Sequence, residues 1–250
     1  FIVWWDMIEN GRKAVRGGYP LHKLFKRLRL HTKITLVTTV FLIVLGALFF
    51  FCLEYTNPDT IGRFTLPQKI MASFFQSVTL RTAGFSTISQ SGLRIGSVVV
   101  CLFLMLIGGS SISTAGGIKT STFAALFLST RMTIQGRDHI VVFNRHIPHK
   151  TVQKALAVTV VSILVFIAAV FALYMAEGGR MTDVAFETAS AIATVGLSRD
   201  YTSGLHLAGK LIITLCMYLG RIGPISMAIS FEKRRHGAVV RYAKEDITVG

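Results

Sequence analysis

An uncharged apolar run at residues 34–53 constrains the fold of this chain more than any other feature. As a helix it is long enough to cross the hydrocarbon core of a bilayer, which takes about 20 apolar residues. A second uncharged run, at residues 155–175, has a similar length. Because backbone polar groups cannot be left unpaired in lipid, segments of this kind span the membrane as helices. The sequence therefore predicts an all-α integral membrane protein.

Four further apolar segments follow these two runs in a fixed order. Segments 66–79 and 181–193 are too short to span, and their length is typical of re-entrant or buried core helices. Segment 95–107 breaks at a glycine-rich stretch and resumes after it, whereas segment 207–230 is long but contains two basic residues. The order of span, short helix, polar turn and interrupted span thus occurs twice.

A shift of 112 positions superimposes the two copies of this pattern. The shift aligns six identical pairs: Phe74 with Phe186, Thr82 with Thr194, Gly84 with Gly196, Ser86 with Ser198, Met105 with Met217 and Gly108 with Gly220. Because the identities fall in the same order inside matching hydropathy, the sequence predicts an internal duplication.

Each copy has a Thr-x-Gly turn directly after its short helix, TAGFS at 82–86 and TVGLS at 194–198. Irregular backbone at membrane depth is tolerated only where protein buries it or a water-filled path lies beside it. A strand at such a position can direct carbonyl oxygens at one axis and replace the hydration shell of a cation. Glycine permits the backbone conformation that this needs. The paired turns therefore indicate an ion pathway, whereas either turn alone would be read as an ordinary loop.

The glycine-rich stretch at residues 108–117 interrupts an apolar segment. It contains four glycines, and each glycine costs a helix about 1 kcal/mol relative to alanine. Hydroxyl side chains in the same stretch can pair with the backbone groups that a break in the helix frees. The sequence predicts a non-helical intramembrane plug here, with a kinked core helix as the alternative.

Four arginines lie near the predicted pathway. Arg221 is inside the last apolar segment, where an arginine costs about 2.5–3.5 kcal/mol on insertion scales and normally faces a partner or a water-filled cavity. The repeat places it level with Gly109, so we expect its guanidinium to donate to the plug and to add a positive barrier. Arg81 either braces the first turn or faces the outer vestibule. Arg94 and Arg199 receive no role from the sequence.

The charge distribution separates this chain from nucleic-acid-binding proteins. The formal net charge is +15, although 52% of the residues are hydrophobic. Of the 27 Lys and Arg residues, 18 lie at 11–33, 131–154 and 233–244, which the repeat places on one side of the membrane. The positive-inside rule makes that side cytoplasmic in a multi-pass protein of the cell membrane. These segments are expected to contact membrane lipids, not nucleic acid.

Other classes of function are less well supported. The three cysteines lie in apolar runs without metal-ligand spacing, and the sequence has no P-loop, nucleophile triad or paired carboxylates at membrane depth. We therefore expect no enzyme, no transition-metal site and no covalently bound cofactor. Two alternatives to an ion pore stay open: a secondary transporter that carries a small anion by alternating access through re-entrant hairpins, and a membrane-embedded scaffold.

Four motifs resemble the Trk/Ktr/HKT superfamily of potassium transporters, and its Ktr branch in particular, along essentially the whole chain. SVTLRTAGFSTIS (77–89) and ATVGLSRD (193–200) resemble the third and fourth pore loops, GGSSISTAGGIKTSTF (108–123) resembles the gating loop, and MYLGRIGP (217–224) resembles the last pore-lining helix. That family builds its pore from four such units, and two occur here. The resemblance implies a C-terminal half; two chains closing one pore is the alternative.

The resemblance also implies the site residues. The selectivity filter for K⁺ would consist of Thr82, Ala83, Gly84, Phe85, Thr194, Val195, Gly196 and Leu197. The gate would consist of Gly108, Gly109, Ser110, Ser111, Ser113, Thr114, Gly116, Gly117 and Arg221. Glycine at both filter positions is consistent with K⁺ as the main ion, with Na⁺ as a candidate activator.

The domain organisation and the partners follow from the same resemblance. The predicted segments are a helix end with a cytoplasmic linker at 1–32, the third repeat at 33–131, a cytoplasmic hairpin or linker at 132–154, the fourth repeat at 155–232 and a cytoplasmic tail at 233–250. The family forms homodimers on a cytoplasmic ring of nucleotide-binding regulatory subunits. Nucleotide is therefore expected only through a partner, and the basic segments are candidate docking surfaces.

Overall fold

The computed structural model describes residues 2–18, 24–110, 115–136, 140–143 and 145–223. Its helices are α1 (Ile2–Lys13), α2 (Leu24–Arg27), α3 (Leu30–Glu54), α4 (Leu66–Thr79), α5 (Ile95–Leu106), α6 (Thr120–Ile134), α7 (His149–Glu177), α8 (Met181–Ile192) and α9 (Leu207–Ile222). One antiparallel hairpin pairs β1 (Ile140–Val142) with β2 (Arg145–Ile147). Helix dominates the described residues, and the strands are confined to the linker between α6 and α7.

α3 and α7 are the long apolar helices, with 25 and 29 residues. Among the described residues they are the two helices long and apolar enough to cross a membrane, with mean hydropathy of 2.8 and 2.9. Only 17% of each apolar stretch is buried, so most of its side chains lie on the protein surface. A helix that is apolar on all sides and yet exposed is expected in lipid. The predicted all-α membrane fold is confirmed.

The two short apolar segments form α4, of 14 residues, and α8, of 12 residues. A capping box between Thr65 and Gln68 starts α4, with proline in its first turn. α4 packs against α3, and α8 packs against α7, so each short helix lies on the long helix that precedes it. At 1.5 Å per residue neither is long enough to cross a bilayer. Each therefore ends inside the protein.

α5 joins the two copies of the repeat because it packs against α8 as well as α3. Leu104 and Met105 of α5 share one core cluster with Phe186 and Ala189 of α8, and all four side chains are buried. This interdigitation brings the ends of α4 and α8 close together.

Several element boundaries differ from the predicted segments. α7 begins at His149, before the predicted repeat boundary at 155, and Pro148 occupies the N-cap position in an extended conformation. α9 is unbroken from Leu207 to Ile222, and Gly223 ends it with φ +84°. Residues 224–250, which include the predicted cytoplasmic tail, lie outside the described residues.

A buried carboxylate determines where α5 begins. Glu54, at the end of α3, is 0% exposed and accepts a hydrogen bond from the backbone N–H of Arg94 at 3.0 Å. The Ser97 hydroxyl, the Asn57 amide at 2.6 Å and the Thr60 hydroxyl at 2.8 Å donate to the same carboxylate. Glu54 thus caps the positive N-terminal end of α5 from a different helix.

The second copy of the repeat has an equivalent carboxylate cap at the start of α9. Glu177, at the end of α7, accepts hydrogen bonds from the backbone N–H groups of His206 at 3.1 Å and Gly209 at 2.9 Å, at the start of α9. Positions 206 and 209 are the repeat counterparts of 94 and 97. The two carboxylates are not aligned by the shift of 112, so the sequence alone did not identify this cap.

Candidate functional site

Both Thr-x-Gly turns leave their short helix in the same uncommon backbone conformation. Thr82 and Gly84 have φ of 68° and 78°, and Thr194 and Gly196 have φ of 55° and 93°. Positive φ at a β-branched residue such as threonine indicates a turn or a functional constraint. The residue between threonine and glycine is not left-handed in either turn. Backbone segments of this kind can direct carbonyl groups at one axis.

A hydroxyl from the last turn of each short helix braces the strand that follows. In the third repeat the Thr79 hydroxyl donates to the Phe85 carbonyl at 2.5 Å. In the fourth repeat the N–H of Val195 donates to the Ser190 carbonyl at 2.8 Å, and the N–H of Gly196 donates to the Ser190 hydroxyl at 3.2 Å. Each turn is therefore held by hydrogen bonds to the last turn of the short helix that precedes it.

The two turns touch, although 112 positions separate them. A Cβ placed on Gly84 would lie 2.5 Å from the carbonyl oxygen of Val195, and one placed on Gly196 would lie 3.7 Å from Gly84 Cα. Position 84 therefore requires glycine because of both contact and φ, whereas position 196 requires it because of φ alone. The two turns therefore meet at Gly84, Val195 and Gly196, and the filter assignment stays a prediction.

The side chains of the two turns have different surroundings. Val195 and Leu197 are 3% and 4% exposed and belong to the core cluster around α5. Ala83 and Phe85 are exposed, and Phe85 is 72% exposed. The apolar core thus fixes the fourth-repeat turn, whereas hydrogen bonds and the Gly84 contact fix the third-repeat turn.

The chain between α5 and α6 forms a loop whose two ends meet. We call the meeting point of residues 107–108 with residues 116–118 the neck. Ile107 and Ile118 form an isolated parallel bridge, and the N–H of Ile118 donates to the Leu106 carbonyl at 2.8 Å. A Cβ on Gly108 would overlap the carbonyl oxygen of Gly116, so the two sides of the neck meet only because a glycine stands there.

The predicted gate residues fall into three groups. Gly108, Gly109, Ser110, Gly116 and Gly117 lie at the neck and the adjoining ends of the loop, Arg221 lies in the last turn of α9, and Ser111, Ser113 and Thr114 lie outside the described residues. The neck is thus the part of the predicted gate for which the structure gives contacts.

Both sides of the neck contact the Thr-x-Gly turns. The Gly108 carbonyl accepts a hydrogen bond from Nη2 of Arg81 at 3.0 Å, and Arg81 directly precedes Thr82. The N–H of Gly116 donates to the Thr194 hydroxyl at 2.9 Å. The glycine-rich loop and the two turns therefore form one continuous site.

Both terminal nitrogens of the Arg81 guanidinium donate to backbone carbonyl groups of the protein. In addition to its contact with Gly108, its Nη1 donates to the Thr39 carbonyl of α3 at 3.3 Å. One guanidinium thus links α3, the end of α4 and the neck. Sequence analysis left this residue between two roles because both carbonyls come from distant parts of the chain.

Two basic side chains flank the glycine-rich loop on the side of α9. Lys119, the N-cap residue of α6, donates from Nζ to the Ala115 carbonyl. Arg221 has an exposed side chain and lies within electrostatic range of Lys119. The expected hydrogen bonds from Arg221 to the loop stay a prediction.

Oxygen atoms of the backbone and of hydroxyl groups are the ligands that this site offers to an ion. In the part of the chain that the structure describes, no three His, Cys, Asp or Glu side chains come together in a group that could hold a metal ion. Carbonyl oxygens without carboxylates suit a monovalent cation better than a divalent one.

Comparison with known proteins places this geometry in context. The family model for TrkH, described as a cation transport protein, matches residues 23–242. The Ktr system potassium uptake protein B of Bacillus subtilis is 39% identical over 250 residues, which is 100% of this chain and 53% of that protein. The Vibrio alginolyticus protein of the same name is 39% identical over 228 residues, which is 91% of this chain and 50% of that protein. The potassium/sodium uptake protein NtpJ of Enterococcus hirae is 33% identical over 256 residues, which is 100% of this chain and 54% of that protein.

The chain spans about half the length of the curated relatives it matches. Among solved structures, the crystal structure of the potassium transporter TrkH from Vibrio parahaemolyticus matches with a TM-score of 0.68 and 21% identity, over 92% of this chain and 51% of that one. At this identity the likeness shows a shared fold.

Proposed function

Because this chain belongs to the TrkH family of cation transport proteins, we propose that it supplies part of a membrane pathway through which K⁺ enters the cell. The observation that carries the proposal is the contact between two left-handed Thr-x-Gly turns at the ends of paired short helices. Relatives named as potassium uptake proteins support K⁺ as the ion. The name of NtpJ makes Na⁺ the second ion to measure, as a competitor or an activator.

In this proposal K⁺ exchanges its hydration shell for oxygen atoms of the two turns. The filter consists of Thr82, Ala83, Gly84 and Phe85 from the third repeat and Thr194, Val195, Gly196 and Leu197 from the fourth. Carbonyl dipoles carry partial charges only, so they attract an ion strongly enough for entry and weakly enough for release. The protein contributes geometry and electrostatics, with no covalent step.

The gate in this proposal is the loop at 108–117. Its neck contacts Arg81 and Thr194, so the described ends of the loop lie next to the two turns. Glycine adopts left-handed and right-handed backbone conformations at little cost, which lets the loop rearrange when ions pass. Arg221 holds the loop closed and, with Lys119, adds a positive barrier to cations.

The orientation and the partners belong to the same proposal. The basic segments 11–33, 131–154 and 233–244 face the cytoplasm, in keeping with the positive-inside rule. The protein is a homodimer that docks on a cytoplasmic ring of regulatory subunits, and nucleotide acts through that ring. The exposed basic side chains of the β1–β2 hairpin are one accessible part of the docking surface.

Rubidium uptake into liposomes that contain the complete natural protein tests this function. We expect saturable Rb⁺ uptake that K⁺ suppresses at lower concentrations than Na⁺ does. Uptake of an anion that competes with other anions would support the anion carrier instead, and the absence of any flux would support the scaffold. Arg81 and Arg199 donate to protein acceptors, which weakens the case for an arginine-lined anion site.

Replacing Arg81 with glutamine is expected to raise Rb⁺ uptake in the absence of a regulatory partner. A hydrogen bond from a charged donor contributes about 1.5–3 kcal/mol, so losing the contact with Gly108 shifts the gate toward its open state by about tenfold to a hundredfold. Arg63→Gln, at an exposed arginine in the turn after α3, is the matched control. Equal uptake by both variants would contradict a gating role for Arg81.

A further inference from the structure

A partly buried ion pair on the outer side of the site joins the two copies of the repeat. Nε of Arg199 donates to Asp183 Oδ1 at 2.8 Å, with the side chains 8% and 19% exposed. Asp183 lies in the first turn of α8. The other two guanidinium nitrogens reach into the third repeat, where Nη1 donates to the Gln90 carbonyl at 2.9 Å and Nη2 to the Ser91 carbonyl at 3.3 Å. One side chain therefore connects α8 to the segment that follows the first turn.

The network continues into α4. The side-chain amides of Gln90 and Gln76 exchange two hydrogen bonds, at 2.7 and 3.2 Å, and both residues are buried. Gln76 belongs to the last turn of α4, close to Thr79, whose hydroxyl braces the first filter strand. Asp183, Arg199, Gln90 and Gln76 thus link the two short helices beyond the outer ends of the two turns.

Arg199 has no counterpart in the third repeat, because the shift of 112 places it on Thr87. Among the described residues, Arg199 therefore forms this link without an equivalent at position 87. Arg199 follows Gly196 by three residues, so little chain separates its anchor from the filter strand. A displacement of the guanidinium would be transmitted directly to the fourth-repeat turn.

We propose that Arg199 is a positioning residue that sets the spacing between the two Thr-x-Gly turns and thereby the preference for K⁺ over Na⁺. The inference rests on the proposed function, since it takes the turns as the ion site. Arg199 acts through Asp183, Gln90 and Ser91 and contacts none of the eight proposed filter residues through the bonds described above. Because Na⁺ is smaller than K⁺, a filter that is free to contract loses discrimination between them.

The contacts require the shape of arginine as well as its charge. A planar guanidinium reaches a carboxylate and two carbonyls at once, whereas the lysine ammonium is a point charge on a flexible stem. The guanidinium carbon also lies 5.9 Å from the centroid of the Phe186 ring, within the range of a cation–π contact. Arg199→Lys therefore keeps the charge and loses the three-way link.

The test measures ion preference and stability separately in the complete natural protein. Thermal unfolding in detergent is followed at increasing KCl and NaCl, because the ion-dependent rise in Tm reports the affinity for each ion. Rb⁺ uptake into liposomes, with K⁺ or Na⁺ as competitor, gives the ratio independently. We expect Arg199→Gln and Arg199→Lys to lower the K⁺ preference by roughly tenfold, within the coupling range of residues in one hydrogen-bond network.

Asp183→Asn should lower the preference in the same direction, and the double variant Arg199→Gln/Asp183→Asn should lose less than the product of the two single losses. Arg63→Gln is the control that leaves the ratio unchanged. If Arg199→Gln does not fold, Arg199→Lys and Asp183→Asn give the measurement.

A lower Tm with an unchanged K⁺/Na⁺ ratio in Arg199→Lys would overturn the inference and leave Arg199 with a role in folding alone. A wild-type protein without any preference for K⁺ would overturn the proposed function itself. The two failures are therefore distinguishable.

Discussion

Gly84→Ala is expected to reduce Rb⁺ uptake to the level of liposomes without protein. The new methyl group would lie 2.5 Å from the Val195 carbonyl oxygen, and that neighbour is backbone that cannot rotate away. The left-handed φ of 78° adds a penalty of about 1–2 kcal/mol for any L-residue with a Cβ. Both effects push the two turns apart where the proposed filter must hold a bare ion.

Gly196→Ala is the informative comparison, because its Cβ would meet nothing closer than Gly84 Cα at 3.7 Å. Only the strain of φ 93° applies there, so we expect this variant to retain measurable uptake with a weakened K⁺ preference. Gly204→Ala, at an outer glycine with no atoms within 4 Å and no positive φ, should behave as wild type. Equal losses in Gly84→Ala and Gly204→Ala would contradict the assignment of the filter.

Glu54→Gln is expected to destabilise the fold more than any other single change considered for this chain. Each carboxylate oxygen accepts from one N–H group and one hydroxyl, and an amide nitrogen in place of either oxygen could no longer accept from that N–H group. Leaving a buried donor unpaired costs about 1–3 kcal/mol, and the N–H of either Arg94 or Asn57 loses its acceptor. The midpoint of thermal unfolding in detergent should fall clearly below that of the wild type.

Glu9→Gln provides the control for Glu54, since Glu9 forms an exposed pair with Lys13 on α1. Pairs of this kind contribute little to stability. Its unfolding midpoint should match the wild type. A Glu54→Gln protein that unfolds at the wild-type temperature would show that the cap on α5 is dispensable.

Local sequence features were sufficient to predict α3, α4, α7 and α8. Uninterrupted apolar runs predicted α3 and α7, and the bounds of the short segments agree with α4 and, within one residue, with α8. These predictions succeeded because helix length and bilayer thickness are linked by the rise per residue. The early start of α7 was missed because the first turn of this helix, after Pro148 at the N-cap position, consists of polar residues and extends no apolar run.

The contacts of three arginines could not be predicted from the sequence. Arg81 received two alternative roles, and Arg94 and Arg199 received none. The structure brings Arg94 to the Leu53 carbonyl, Arg81 to the carbonyls of Thr39 and Gly108, and Arg199 to Asp183 and two carbonyls of the third repeat. Most of these acceptors are backbone oxygens, which every residue type supplies equally, so no sequence pattern marks them.

By itself the sequence determined the membrane fold, the duplication and the positions at which glycine interrupts regular structure, because hydropathy and backbone freedom are properties of short segments. Only the tertiary structure decided which distant groups meet. Glu54 caps a helix 40 positions further along the chain, and Arg199 reaches a carbonyl 109 positions before it. Such pairings follow from the packing of α5 against α3 and α8. Packing in turn depends on the shapes of all the helices together.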